Sequence, residues 1–467
     1  CQGNALINRT LPNPWSFLST INRYSPTEEE IYDYLTSRMI EEDKTFRDPI
    51  HHDVLVNHLE TRIIDTQTFQ RQRRIKQLGT AHLVYPGAEH SRFQHSLGVL
   101  HMASQLVSKV KANRFSEVKI FSSVNIIDDE KRRKADRQDR GFLLVTRLAA
   151  LLHDLTVIPF SHVLAKEGAL FKEQWEDEDA ISTLLGRGSE IYRKIARYAK
   201  DLIREGFNYL DETKSQEYAT HFTNTLLSYV LMVIRSSDSA VCSRLYGSDL
   251  WKDLMDEKFA LAASQIVLNT ICADLLDYIE RDFYFCGIRK TYEDRFLKYA
   301  CVATHSGAPV FAYRLISKRG ELKHSVLSAI LDTLERRYDL AELVHAHRAK
   351  NCFSAIVTEA FNFYWQPLSQ PERQKILSEL LRLGDDELLA YLHEKGGEVT
   401  KRLVERYNSR AIYEEIGLFR GWHPRTQDSM DAIAKFLRNA KERYELEKRV
   451  AKWVDDERVR EGDCLAY

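Results

Sequence analysis

The sequence predicts an all-α fold with one small β-hairpin and a helical C-terminal region. Three observations predict it. Only 19 Gly and 10 Pro punctuate 467 residues, so helix breakers are scarce. Apolar residues recur at helical spacing along most of the chain. Hydrophobic residues make up 44% and aromatic residues 10%, enough to fill a sizeable core.

The elements follow in order. Residues 1–45 read as an N-terminal extension, irregular around Pro12 and Pro14. Thr27 with Glu30 then forms a capping box ahead of IYDYLTSRMI, a helix start. Residues 46–300 read as the core domain. Residues 301–425 read as a mostly helical region that opens with the best strand candidates of the chain. There PVFAYRLI precedes a polar SKRGE turn, which predicts a short hairpin. Pro371 starts a later helix, and Gly384 separates two more before Asp385-Asp386. Residues 426–467 read as a charged helical tail. In it Met430, Ile433, Leu437, Ala440 and Tyr444 fall at heptad-like spacing, a surface helix suited to a subunit interface.

Composition excludes some classes. The net charge of −1 gives no global signal for nucleic acid. The basic run EKRRKADRQDR, residues 130–140, reads as a solvated insertion, with a phosphate-rich partner as the functional alternative. Seven scattered cysteines without a CxxC pair fit reduced thiols and a cytoplasmic protein. No apolar run approaches the length of a membrane span, and no signal-peptide core is present.

The most informative motif is His153-Asp154 in LLHDLTVIPFSH. Burying a carboxylate in an apolar run is costly unless it is paired or bound to metal. Adjacent helical residues point about 100° apart, so both can reach one ion. His95 in SRFQHSLGVL and Asp274 in ICADLLDYIERD complete the order His, His-Asp, Asp. Imidazole and carboxylate together suit a divalent metal such as Mn, Fe, Mg, Ni or Zn. Such a metal lowers the pKa of a bound water and neutralises phosphate charge, the chemistry of a phosphohydrolase. Asp277, Tyr278 and Arg281 share a helix face with Asp274. Of the remaining histidines, His51, His52, His58, His221, His324, His393 and His423 read as caps, turns or surface. His82, His90 and His101 lie in the metal segment and are candidates to line a pocket.

The block DPIHHDVLVNHL through TRIIDTQTFQRQRRIKQLGTAHLVYPGAEHSRFQHSLGV resembles the HD-domain dNTP triphosphohydrolases. LLHDL, PFSH, DLLDYIERDFYFCG, RYDLAELVHAHR and RAIYEEIG extend the resemblance over roughly residues 47–418. It implies an HD-domain helical core, metal ligation by His95, His153, Asp154 and Asp274, and release of triphosphate from a dNTP. It implies that Arg92 contacts phosphate and that Gln77 and Leu78 sense the sugar 3′-hydroxyl. Tyr278 and Asp282 would line the sugar pocket, and His345 and His347 fall where relatives place substrate contacts. His162, in PFSH, would stand by the scissile phosphate as proton donor or water-orienting group. Asp65 and Arg73 match positions of a regulatory guanine-nucleotide site; a structural ion pair between them is the plainer expectation. A nucleotide effector and a homo-oligomer are implied as well.

The departures from the family are as specific as the matches. Thr156 and Val157 replace the glycine and second histidine of HDxGH, and valine can neither donate a hydrogen bond nor transfer a proton. Asp177, in Trp175-Glu176-Asp177-Glu178, replaces a histidine, and Leu275 replaces a phosphate-contacting lysine. Each charge-assisted contact contributes roughly 1.5–3 kcal/mol, so these changes bear on the substrate or leaving group. Compensation by His345, His347 or the acidic cluster 176–179 is a further expectation. Two rivals remain at this point. One is a nucleotide-binding regulator or scaffold with weak turnover. The other is a nucleotidase, phosphodiesterase or nuclease.

Overall fold

A computed structural model describes residues 26–113, 128–164, 178–235, 239–252, 254–317 and 319–413. Among these residues the chain forms sixteen α-helices and two two-stranded antiparallel sheets. The fold is all-α in its core, and no described helix is long and apolar enough to cross a membrane.

The first helix, α1 (Glu28–Met39), starts at the expected capping box: Glu30 N donates to Thr27 Oγ1 at 3.2 Å, and Thr27 N donates to Glu30 Oε2 at 2.9 Å. A hairpin follows, β1 (Glu42–Asp48) and β2 (His52–Asn57), with Phe46 opposite Val54 and Asp48 opposite His52. Sequence reasoning missed this hairpin because its first strand, EDKTFRD, is almost wholly exposed and polar. Val54 and Val56 bury the inner face of the second strand. Two short helices, α2 (His58–Ile64) and α3 (Gln67–Gln70), lead towards α4 (Arg92–Ala112).

Next come α5 (Asp129–Leu152), α6 (Glu178–Leu185), α7 (Glu190–Gly206), α8 (Glu212–Ile234), α9 (Ser239–Tyr246), α10 (Ala260–Val267) and α11 (Ala273–Phe285). The centre is α4, packed on α5 and α11, with α5 also packed on α8 and α10. The C-terminal half of α5 is largely apolar; its Arg147 pairs with the buried Glu60, and Phe142, Leu144, Val145, Leu148 and Leu151 are at most 1% exposed. Such a helix half lies within the core. The N-terminal half of α5 contains the basic run. The run is helical and only partly solvated. Its first residues are exposed, but Arg137 is buried against Glu29 and Arg140 pairs with Asp33, both on α1.

The predicted hairpin exists, shifted from its expected turn. PVFAY belongs to β4 (Ala308–Tyr313), whose partner is the preceding β3 (Ala300–His305). The turn is Ser306-Gly307, both at positive φ, +50° and +81°. SKRGE lies after the hairpin, flanked by an isolated bridge between Ile316 and Leu322. Position 306 is a serine, so the turn carried a weaker signal than Asn-Gly.

The C-terminal helices are α12 (His324–Leu340), α13 (Arg348–Trp365), α14 (Gln370–Leu380), α15 (Asp385–Lys395) and α16 (Glu398–Asn408). Pro371 lies in the first turn of α14, and Gly384 caps α15. Buried polar groups tie this region to the core. Arg71 donates to Leu380 O at 3.1 Å and to Leu155 O and Val157 O at 3.0 and 2.7 Å. Thr80 Oγ1 donates to Lys350 O at 3.1 Å. The tail heptads lie outside the described residues, as do Glu176, Asp177 and most of the acidic cluster's surroundings.

Candidate metal centre

Three helix termini build the centre. His95 sits in the first turn of α4, Asp274 in the first turn of α11, and the pair His153-Asp154 follows the end of α5. His153 is the cap residue rather than a helical one, so the pair emerges at a helix end where the chain turns. His95, His153 and Asp154 bring ligand atoms within 4.8 Å of one another. His95 Nε2 lies 3.0 Å from Asp274 Oδ1 and 3.7 Å from Asp154 Oδ2. His153 Nε2 lies 3.3 Å from Asp154 Oδ2 and 3.7 Å from Asp274 Oδ1. The four residues expected from the sequence therefore converge on one point.

The histidines are oriented for a cation. His153 Nδ1 is 2.8 Å from Ala150 O, and His95 Nδ1 is 2.7 Å from Asp277 Oδ2. Both contacts assign the proton to Nδ1 and leave Nε2 as a lone-pair donor. Each Nε2 is buried and makes no properly formed hydrogen bond. Buried ring nitrogens without a well-formed hydrogen bond are costly, and a divalent cation shared with the neighbouring carboxylates would satisfy both at once. The donor set fits a metal on this structure's own terms.

The electrostatics agree. Burial alone pushes His95 down, but its contacts with Asp274 and Asp277 outweigh this and raise it to about 9. Burial opposes ionisation of Asp154, yet His153 and Arg92 hold it well below the usual carboxylate range. The carboxylates here favour positive charge among them.

A second layer supports the ligands. Asp277 also contacts His51 Nε2 at 2.7 Å, and Arg281 bridges Asp277 and Asp48 with contacts of 2.8–3.3 Å. His51 is thus not a surface histidine: its side chain is 6% exposed and belongs to the centre. Asp48 aims it, because Asp48 Oδ1 accepts from both Ile50 N and His51 N at 2.9 Å. The ring stacks on His101 at 4.9 Å, and burial, with His51 beside it, pushes His101 down to about 4. His221 is likewise not a simple surface residue, since it contacts Tyr32 and Glu28.

The other site candidates divide into groups. Arg92 is buried; it pairs with Asp154, donates to Ser161 Oγ at 3.1 Å and approaches Gln77 O at 3.4 Å. Gln77 N donates to His90 O at 2.9 Å, and His90 Nε2 meets Asp282 Oδ1 at 2.7 Å. Arg92, Gln77 and Asp282 therefore form one continuous patch through His90. Gln77 Oε1 is buried and unpartnered. Leu78 is buried next to it, and burial together with Asp274 raises the Tyr278 phenol. His162 lines a cavity of about 140 Å³ with His153, Asp154, Thr156 and Val157. Leu275 is 2% exposed in the core, so the lysine-to-leucine change fills a packing position.

His345 ends an exposed π-turn (Ala341–His345), and His347 lies against the Tyr85 ring at 5.7 Å. The expected ion pair of Asp65 with Arg73 is absent among the described contacts. Asp65 lies 3.5 Å from Lys44, while Arg73 bonds Gln70 at 2.7 Å and covers the Phe93 ring. A larger groove of about 1010 Å³ lies along α7, α8 and α9, and part of its charge is paired, as in Lys200–Glu212 at 2.5 Å.

Residues 92–282 match the family model of the HD domain. The chain is 26% identical over 406 residues to deoxynucleoside triphosphate triphosphohydrolase SAMHD1 of Gallus gallus, covering 80% of this chain and 56% of that protein. It is 25% identical over 377 residues to the SAMHD1 homolog of Dictyostelium discoideum, covering 79% and 60%. It is 26% identical over 397 residues to the uncharacterized protein YwfO of Bacillus subtilis, covering 81% and 72%. The chain spans about half the length of the vertebrate relatives it matches.

Proposed function

We propose that this chain, which belongs to the HD-domain family of dNTP-triphosphohydrolase-like proteins, is a divalent-metal phosphohydrolase of nucleotides. Its reaction is the conversion of a dNTP to deoxynucleoside and triphosphate. The observation that carries this reading is the convergence of two buried imidazole Nε2 atoms, neither in a well-formed hydrogen bond, with the carboxylates of Asp154 and Asp274. His95, His153, Asp154 and Asp274 hold the cation. When bound, it supplies Lewis acidity and charge neutralisation at phosphate.

The remaining work falls to the chain itself. Arg92 places a fixed positive charge beside Asp154, where phosphate charge would accumulate. His162, in the same cavity as His153 and Asp154, orients water or gives a proton to the leaving oxygen. The unpartnered Gln77 Oε1 accepts from a sugar hydroxyl, with Asp282 linked to the same segment through His90. Val157 stands where the family has its second histidine, which leaves His162 as the cavity's imidazole besides His153 among the described residues.

The test is to incubate protein loaded separately with Mn, Mg, Fe, Co or Ni with dNTPs, NTPs and nucleoside monophosphates, and to separate the products by chromatography. Triphosphate release supports the reading. Orthophosphate from a monophosphate replaces it with a nucleotidase. Nucleotide binding without turnover replaces it with a regulatory role.

A further inference from the structure

Phe160 and Ser161 both sit at left-handed φ, +61° and +57°. A phenylalanine there costs of order 1–3 kcal/mol and persists only where its surroundings hold it. The holder is Asp385, at the start of α15 and 2% exposed. Its Oδ1 accepts from Phe160 N at 2.6 Å, and its Oδ2 accepts from Lys76 N at 2.9 Å. Ser161 Oγ in turn donates to Lys76 O at 2.6 Å and accepts from Arg92 Nε at 3.1 Å. Arg92 then pairs with Asp154. Both oxygens of Asp385 are thus spent on the two backbone segments that set the position of Ser161.

We propose that Asp385 is a positioning residue for phosphate binding: it fixes the Phe160–Ser161 turn against Lys76 so that Ser161 orients the Arg92 guanidinium at the metal centre. It acts through other residues and touches no metal ligand. Asparagine cannot replace it, because the amide nitrogen has no lone pair to offer a backbone N–H. This inference rests on the proposed role of Arg92 at phosphate.

The experiment is a double-mutant cycle on the full chain, with inorganic triphosphate in the presence of Mn²⁺ as the probe, read by calorimetry. Metal content and thermal unfolding are measured for every variant. Arg92→Ala is expected to weaken triphosphate binding about 10–150-fold, the range for a charge-assisted contact. Asp385→Asn is expected to weaken it about tenfold while Mn²⁺ content stays at the wild-type level. The combination Arg92→Ala/Asp385→Asn is expected to bind no more weakly than Arg92→Ala alone, because the two act as one unit. Wild-type binding by Asp385→Asn, or effects that multiply in the combination, overturns the proposal. If Arg92→Ala itself binds like wild type, the failure lies in the phosphate role of Arg92. Should Asp385→Asn not fold, Ser161→Ala carries the same cycle, since it removes the relay and leaves Asp385 in place.

Discussion

Gly98 and Asp277 meet across the contact of α4 and α11: a Cβ on Gly98 would fall 1.8 Å from Asp277 Oδ1 and 2.5 Å from Arg281 Nη2. Gly98 follows His95 by three residues, so it lies on the same face of α4. The absent side chain is what lets the carboxylate reach His95 Nδ1. Gly98→Ala is therefore expected to destabilise the fold by about 1–3 kcal/mol through overpacking and to weaken metal binding with it. Denaturant unfolding and a metal titration check this. Unchanged metal affinity in a folded variant contradicts it.

Asp154→Asn is expected to abolish metal binding and turnover together. The amide keeps the shape but loses the charge that offsets the cation. Metal analysis after gel filtration, beside product chromatography, is the measurement. Turnover that survives in a metal-free variant sinks the mechanism.

His51→Ala is expected to lower metal affinity about 10–100-fold, because the ring helps hold Asp277 on His95. Competition with a calibrated chelator reads this directly. The same loss need not appear in His101→Ala, which stacks on His51 without touching Asp277 in any described hydrogen bond.

Asp139, on α5, is pushed by burial from 3.8 to about 7, with Lys111 nearby opposing the shift. Its native form holds a proton that the unfolded chain has released, so the stability it contributes is full below about pH 4 and lost as pH rises through 7. Asp139→Asn is expected to be more stable than the parent at pH 8. The gain is about 1–2 kcal/mol after discounting for solvent screening of this partly exposed group. The advantage shrinks towards pH 4. Urea midpoints at the two pH values decide it; an equal difference at both refutes the assignment.

Much of the centre was legible because its chemistry is carried by residue type. A carboxylate in an apolar run is costly unless a charge or a metal offsets it, so His153 and Asp154 stood out in LLHDL. His51 did not, because the sequence HH beside a proline turn looks like surface until Asp48 is seen to aim it. Asp385 was legible as a helix start and nothing more, since its partners are backbone N–H groups more than 200 residues away. Hydrogen bonds to the main chain leave no side-chain signature. The first hairpin was hidden for a related reason: an exposed polar strand lacks the alternation that marks a half-buried one. Ser306-Gly307 similarly gave no strong turn signal, so the second hairpin was placed one strand too late.

The crosslinks from α13, α14 and α15 to the core also bear on where this protein can be cut. The family match ends at residue 282, yet Arg71, Thr80 and Phe160 find their partners beyond residue 345. A fragment trimmed to residues 92–282 would keep all four candidate ligands, lose Arg71 and Thr80 altogether, and leave Phe160 N without its Asp385 acceptor. The recognisable motif and the smallest working unit are different objects here. Substitutions in the last helices will then look like lesions of the half that holds the candidate metal centre.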